Sequence, residues 1–211
     1  MKHAMKLIAA VLAIMLLFAI PTAGAEMAEA EKLKNYEKFE DVAIYARIPD
    51  SVMYVTMYSP EEAPLYESLA KAGYTYDSFR EFMSTNDIVA YGLFVEDGMT
   101  EFQIAAKRQE YDIDLSTATE TELQTILAMS GNGLEAVGAE IEESGIYRGT
   151  NYTGFWFHYK IRASGFKQGV IQYTILHSDR AINIRGYNMR GKYPEDVEEI
   201  IKDVFDSIIV N

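Results

Sequence analysis

The chain has 211 residues, of which 49% are hydrophobic, 24% charged and 12% aromatic, and it contains no cysteine. This composition is typical of a globular domain and excludes a collagen-like, coiled-coil or disordered chain. The lack of cysteine excludes disulfides, thiolate metal sites and cysteine nucleophiles. The formal net charge of −13 opposes non-specific binding to nucleic acid or anionic lipid, because a phosphate-rich partner needs a basic surface.

The N-terminal segment predicts export. A short basic region, Met1 to Lys6, precedes an apolar run from Leu7 to Ile20, and Ala23-Gly24-Ala25 supplies the small residues that signal peptidases recognise. The apolar run is shorter than the roughly 20 residues that span a bilayer. We therefore predict a signal peptide over residues 1–25, cleaved after Ala25, and a secreted or extracytoplasmic mature protein at the cell envelope. An uncleaved N-terminal helix that tethers the protein to the membrane is the alternative.

The rest of the chain predicts a helical spacer followed by one α+β domain. Residues 26–40 alternate Glu and Lys with Ala and carry a thin apolar stripe, which is typical of a surface helix. The domain is predicted over residues 41–211. Within it, alternation of apolar and polar residues, rich in β-branched and aromatic types, predicts strands. The predicted strands are 42–48, 52–58, 88–95, 101–108, 145–162 (broken near Gly149), 169–177 and 181–187, with a hairpin turn at Ser178-Asp179-Arg180.

Capping and periodicity signals predict helices between these strands. The predicted helix signals are an opening at Pro60-Glu61-Glu62 with an end at Gly73, an N-cap at Asp77, a start at Ser116 or Thr117, and a final helix over 195–209. Gly131 and Gly133 are expected to interrupt or kink the third helix, because glycine is costly inside a helix.

Several short segments in this order are similar to a known fold. The segments are Ile48-Pro49-Asp50, Asp87-Ile88-Val89-Ala90-Tyr91, Glu101-Phe102-Gln103-Ile104, Gly145-Ile146-Tyr147, Gln172-Tyr173-Thr174, Ala181-Ile182-Asn183-Ile184 and Asp206-Ser207-Ile208. Together they resemble exported bacterial proteins of the Firmicutes type that share the PsbP/Mog1-like fold. The resemblance implies an antiparallel sheet of about six to seven strands with helices packed on it. It also implies accessory or binding roles, and it brings no catalytic residues.

A register argument predicts a ligand-binding face on the sheet. Matching the apolar sides of the two strands that flank the loop 163–168 pairs positions whose numbers sum to about 330. Phe155 and Phe157 then face the core, and the opposite face collects Tyr152, Trp156, His158, Lys160, Gln172, Thr174, Asn183 and Arg185. An aromatic residue among mixed donors and acceptors suits a small polar ligand or a peptide. The candidate ligand-binding residues are Trp156, His158, Gln172, Thr174, Asn183 and Arg185. A solvated sheet face, or one covered by helices, is the alternative.

The sequence contains no recognisable metal, cofactor or catalytic motif. The same register places His158 and His177 on different faces, and no zinc spacing is present, so we predict no metal site. Glu110, Asp112 and Asp114 alternate along an extended segment, which is compatible with weak Ca²⁺ binding or with a solvated acidic edge. No nucleophile elbow and no phosphate loop occur, so we predict no cofactor and no enzymatic activity.

These observations favour a non-catalytic accessory or binding domain at the cell envelope. Its expected partner is an unidentified protein or a small polar ligand, with no nucleic acid, and with membrane contact only through an uncleaved N-terminal segment. The alternative is an envelope hydrolase that uses paired carboxylates, which the abundance of acidic residues leaves open.

Overall fold

The computed structural model describes residues 33–96, 98–163, 166–188, 191 and 195–211. In these residues the chain forms nine strands and four α-helices. The strands are β1 (Glu37–Phe39), β2 (Ile44–Ala46), β3 (Val52–Thr56), β4 (Ile88–Phe94), β5 (Thr100–Asp114), β6 (Glu140–Arg148), β7 (Thr153–Ala163), β8 (Phe166–Asn188) and β9 (Ile209–Val210). The helices are α1 (Pro64–Lys71), α2 (Tyr76–Thr85), α3 (Glu120–Ala136) and α4 (Glu195–Ser207), and 3₁₀ turns occupy Glu40–Val42 and Leu115–Thr117.

The main sheet is antiparallel throughout and has six strands in the order β3-β4-β5-β8-β7-β6. A small sheet has the order β1-β2-β9. The predicted α+β class, with an antiparallel sheet and helices packed on it, is therefore confirmed. The predicted β4–β5 hairpin is also present, with Leu93 paired to Glu101 and Tyr91 paired to Gln103.

Strand β8 folds back on itself near Ser178. Its first arm pairs with β7 and its second arm pairs with β5. Ser178 has a φ of +52°, and the side chains of Gln172 and Asn183 are joined by a 3.1 Å hydrogen bond. Eleven residues of continuous extended chain would separate that pair by about 36 Å, so the chain must reverse between them. The predicted turn at Ser178-Asp179-Arg180 is confirmed.

Helices cover parts of both faces of the main sheet. On one face, which we call the α4 face, α4 and the small sheet bury Phe102, Ile104, Tyr173 and Ile184. On the opposite face, α1 and α2 pack on β3 and β4 around Tyr91, and α3 packs beside β6 and β7. We call this second face the α1–α3 face. Each large apolar side chain buried in these clusters contributes about 1.5–3 kcal/mol to folding.

Helix starts differ from their predicted positions because other residues form the caps. Helix α2 is capped by Thr75 and Ser78 in a reciprocal capping box, rather than by Asp77. Helix α1 begins at Pro64 and not at Pro60, since proline at the first position is preorganised for a helix. The predicted end of α1 is confirmed, because Gly73 follows it with a φ of +95°.

Helix α3 begins later than predicted and is not interrupted by its glycines. Thr119 caps it in a box with Glu122, after a separate 3₁₀ turn at Leu115–Thr117. Gly131 is buried, and a Cβ placed on it would lie 3.3 Å from Ile141 Cδ1. This glycine therefore allows the helix to approach β6 closely, which explains its place inside the helix.

The N-terminal part of the chain differs from the predicted spacer where it is described. Residues 33–36 form a turn, with Tyr36 N donating to Leu33 O at 2.9 Å, and the compact unit begins at Glu37 with strand β1. The predicted signal peptide over residues 1–25 lies outside the described residues. Over the residues that are described, no helix is both long enough and apolar enough to cross a membrane.

Candidate functional site

The pairing of β7 with β8 divides the predicted ligand-binding residues between the two faces of the sheet. Phe155 pairs with Thr174 and Phe157 with Gln172, so paired numbers sum to 329. Since side chains alternate along a strand, a shift of one residue moves every side chain of one strand to the other face. The predicted common face is therefore wrong: Trp156 and His158 lie on the α4 face, whereas Gln172 lies on the α1–α3 face.

On the α4 face, Trp156 and His158 lie beside helix α4. Their rings are 4.9 Å apart, and His158 Nε2 lies 3.5 Å from Glu198 Oε2 on the helix. The other oxygen of Glu198 accepts a 2.9 Å hydrogen bond from the Tyr173 hydroxyl and lies 3.1 Å from Lys202 Nζ. Burial disfavours the charged form of Glu198, but the bonds from Tyr173 and Lys202 and the neighbouring His158 outweigh it, so its pKa is lowered. These contacts dock α4 on the sheet.

Two further residues of the predicted face also belong to this side of the molecule. Tyr152 accepts a 3.1 Å hydrogen bond from Val210 N and lies against the His177 ring at 4.8 Å. Lys160 forms an ion pair with Glu142 on the neighbouring edge strand β6. Both residues therefore have structural partners here, and neither is part of a shared polar surface with Gln172.

On the α1–α3 face, five polar side chains from three adjacent strand segments form a cluster that we call the polar strip. Its members are Gln103 on β5, Gln172 and Thr174 on the first arm of β8, and Asn183 and Arg185 on the second arm. Of the predicted ligand-binding residues, Gln172, Thr174, Asn183 and Arg185 are thus brought together, and Trp156 and His158 are not.

Gln172 is the centre of the polar strip. Its Oε1 accepts hydrogen bonds from Arg185 Nε at 2.9 Å and from the Tyr159 hydroxyl at 3.2 Å. Its Nε2 donates to Thr174 Oγ1 at 3.0 Å and to Asn183 Oδ1 at 3.1 Å. Thr174 Oγ1 and Asn183 Oδ1 are 2.8 Å apart. Gln172 is buried, whereas Asn183 and Arg185 are half-buried, so solvent reaches the outer part of the network.

Among the described residues, Arg185 contacts only neutral groups. Besides Gln172, its guanidinium contacts the Tyr187 hydroxyl, with 3.4 Å between Nη1 and the oxygen. No ion pair joins Arg185 to a carboxylate anywhere in the described part of the chain. By contrast, Arg108 and the buried Arg180 both pair with Asp179. Arg185 therefore retains N–H groups and a positive charge that the described residues do not neutralise.

Two tyrosines and a glutamate around the polar strip have raised pKa values. Burial raises the pKa of Tyr159 and of Tyr187, and Arg185 opposes that rise in both, so both phenols stay neutral. Tyr159 donates to Gln172, and Tyr187 accepts from Arg185. Glu101 on β5 is paired with Tyr187 on the second arm of β8 and forms a hydrogen bond with Tyr91. Burial raises the pKa of Glu101 and outweighs the opposite effect of this hydrogen bond.

The sequence pattern does not single out Gln103, Tyr187 or Glu101 as site residues, although the structure places them in or beside the polar strip. Alternation along β5 does predict Gln103 and Glu101 on the polar side of their strand. Alternation does not reveal that β5 pairs with the second arm of β8, where Gln103 lies directly opposite Arg185. That non-local pairing is the signal that would have completed the site.

The histidines and the acidic segment form no metal cluster among the described residues. The corrected register puts His158 opposite Ile171, and His177 lies six residues further along β8, about 20 Å away. Asp114, predicted with Glu110 and Asp112 as a possible Ca²⁺ group, accepts hydrogen bonds from Ser116 N and Oγ at 2.9 and 2.7 Å. Its pKa is lowered by these hydrogen bonds. Asp114 therefore serves as the cap of a 3₁₀ turn.

Comparison with known proteins finds solved structures of similar fold but no match in sequence. No protein-family model and no curated protein sequence matches the chain. The chain is similar to the cyanobacterial PsbP (CyanoP) of Synechocystis sp. PCC 6803, with 8% identity, a TM-score of 0.47, and coverage of 83% of this chain and 91% of that one. It is similar to LpqN of Mycobacterium tuberculosis, a protein involved in cell envelope biogenesis, with 10% identity, a TM-score of 0.41, and coverage of 82% and 84%.

A third structure of similar fold comes from Bacteroides thetaiotaomicron VPI-5482. It is 6% identical, with a TM-score of 0.47, and the alignment covers 84% of this chain but 48% of that chain. The structural neighbours thus include a PsbP protein, at very low sequence identity. At such identities the similarity concerns the fold alone.

Proposed function

We propose that this chain is an exported, non-catalytic binding domain of the cell envelope, and that it binds a small polar ligand at the polar strip. The observation that carries the proposal is a network of side-chain hydrogen bonds in the middle of the main sheet. It joins Gln172, Thr174, Asn183 and Arg185, whereas the other buried side chains of the sheet are largely apolar.

Stability alone does not account for such a network. Burying polar groups costs free energy that their mutual hydrogen bonds only offset, and apolar side chains of similar size serve a sheet interior at least as well. A ligand gains from the same arrangement, because rigid strands hold the donors and acceptors in place before binding. The polar strip contains no carboxylate, so it lends no support to the envelope hydrolase with paired carboxylates.

A thermal-melt panel tests this proposal. The full chain, in the processed form that the expressing cell yields, is melted with sugars, amino acids, peptides, organic acids, cell-wall fragments and divalent ions. A compound at 100 times its Kd adds roughly 2.7 kcal/mol to the free energy of unfolding, which a melt resolves easily. Asn183→Ala removes one member of the polar strip, and Asn132→Ala, on the exposed side of α3, is the matched control.

We expect at least one compound to raise the Tm of the wild type and of Asn132→Ala, each compared with its own unliganded Tm, but not that of Asn183→Ala. A flat panel, or a shift of equal size in Asn183→Ala, would overturn the assignment of the polar strip as a binding site.

A further inference from the structure

The guanidinium of Arg185 indicates what kind of ligand the polar strip takes. The chain has 32 acidic against 19 basic residues, so a carboxylate partner is easily supplied within the protein. Three other partly or fully buried cations have such a partner: Lys202 contacts Glu198 and Glu199, Lys160 contacts Glu142, and Arg180 contacts Asp179. Half-buried Arg80 contacts the ring and the hydroxyl of Tyr76 instead. Arg185 is half-buried, and within the part of the chain that the structure describes it contacts only an amide oxygen and a phenol.

A half-buried cation without a counter-ion loses hydration and gains no charge pairing in return. The nearest carboxyl group in the strand register, Glu101, is directed to Tyr91 instead, and burial raises the pKa of Glu101. We propose that the ligand of the polar strip carries a carboxylate group that pairs with Arg185. This inference rests on the proposed function, since it specifies the ligand of the same site.

The available donors match one carboxylate. Gln172 accepts from Nε of Arg185, and the Tyr187 hydroxyl accepts from one N–H of Nη1. One N–H of Nη1 and both of Nη2 therefore remain for the two oxygens of the ligand, and a carboxylate can bind such a pair in a bidentate manner. Gln103, directly opposite Arg185, has no side-chain hydrogen bond with the described residues and supplies a further donor and acceptor. A single guanidinium, with Glu101 nearby, favours a monoanion over phosphate or another dianion.

Isothermal titration of the full chain with propionate and with propionamide tests the inference. The two probes have nearly the same size and shape and differ in charge. Both are titrated at one ionic strength, so that general salt effects are equal. We expect propionate to bind at least tenfold more tightly than propionamide, as expected for a gain of about 1.4 kcal/mol or more.

Arg185→Gln removes the charge and keeps an amide, and we expect it to abolish the preference for propionate. Arg185→Lys keeps the positive charge but loses the planar guanidinium, so it should retain part of the preference for propionate. A retained partial preference would also show that substitution at this position does not by itself unfold the protein. Arg148→Gln is the matched control, because Arg148 is exposed and pairs with Glu120 on the surface; it should leave the preference unchanged.

Equal affinities for the two probes, or an unchanged preference in Arg185→Gln, would overturn the inference. If a neutral compound from the panel nevertheless binds the wild type and not Asn183→Ala, the proposed function stands and only the carboxylate is wrong. If propionate and every panel compound fail to bind, both are overturned.

Discussion

Single residues decide how closely the strands and helices approach. Gly154 lies on β7 where a Cβ would meet the backbone carbonyl of Thr174 and come within 2.8 Å of the Phe205 ring. Gly133 lies on α3, where a Cβ would have no neighbour within 4 Å. Replacing glycine by alanine is therefore expected to change the free energy of unfolding in opposite directions at the two positions.

We expect Gly154→Ala to lower the free energy of unfolding by about 1–3 kcal/mol, because a backbone carbonyl cannot move aside. Gly133→Ala should raise it by about 0.5–1 kcal/mol, because alanine is the better residue in an open helix position. Urea unfolding of both variants provides the measurement. A neutral Gly154→Ala would contradict the close approach of β7, β8 and α4.

Glu101 is expected to make the stability of the protein depend on pH. Because burial raises the pKa of Glu101 in the folded state, folding is penalised above that pKa, and the penalty disappears as the pH falls below the unfolded-state value of 4.5. Glu101→Gln should therefore stabilise the protein more at pH 7 than at pH 4, with Tyr91 still able to donate to the amide oxygen. Glu81→Gln, at an exposed position on α2, is the matched control in the same unfolding series.

Within an element, alternation predicts correctly which residues share a side, and between elements it fails at one point. Gln172 and Thr174 share a side of their arm, and Trp156 and His158 share a side of β7, as predicted. The pairing between these strands is offset by one residue from the predicted register. Both faces of this sheet are partly covered and carry apolar side chains, so the apolar pattern cannot distinguish two registers that differ by one residue.

The predicted helices are present, but the starts of two of them are displaced. The final helix is predicted over 195–209 and observed as α4, Glu195–Ser207, because its apolar spacing is regular over the whole length. The starts of α2 and α3 are displaced, because Thr75 and Thr119 compete successfully with nearby residues of similar capping propensity. Which residue caps a helix depends on tertiary packing as well as local sequence.

The packing of α4 on the sheet depends on the buried apolar side chains along one side of the helix. Ile201 is fully buried and its Cδ1 would lie 2.8 Å from a Cβ on Gly186 of β8. We expect Ile201→Ala to lower the free energy of unfolding by about 2–5 kcal/mol, because it leaves a cavity against the sheet. Glu199→Ala, on the exposed side of the same helix, should change it by less than about 1 kcal/mol, since a surface ion pair contributes little. Similar losses in both variants would argue against the packing of α4 on β8.

For the whole molecule, the predicted export signal can be tested directly. We expect mass spectrometry of the protein from an exporting cell to show Glu26 as the first residue, because signal peptidase cleaves after small residues such as Ala25. A mass that retains residues 1–25 would instead support the membrane-tethered alternative. Either result leaves the polar strip to be tested separately, since its residues all lie in the unit that begins at Glu37.

One NMR experiment distinguishes ligand binding at the polar strip from ligand binding at the α4 face. A proton–nitrogen spectrum of the full chain is recorded with and without the panel compound that raises the Tm most. We predict shifts of the side-chain signals of Gln103, Gln172, Asn183 and Arg185, while the indole signal of Trp156, the chain's single tryptophan, stays in place. Movement of the Trp156 signal with unchanged signals from the polar strip would place the ligand at the α4 face instead.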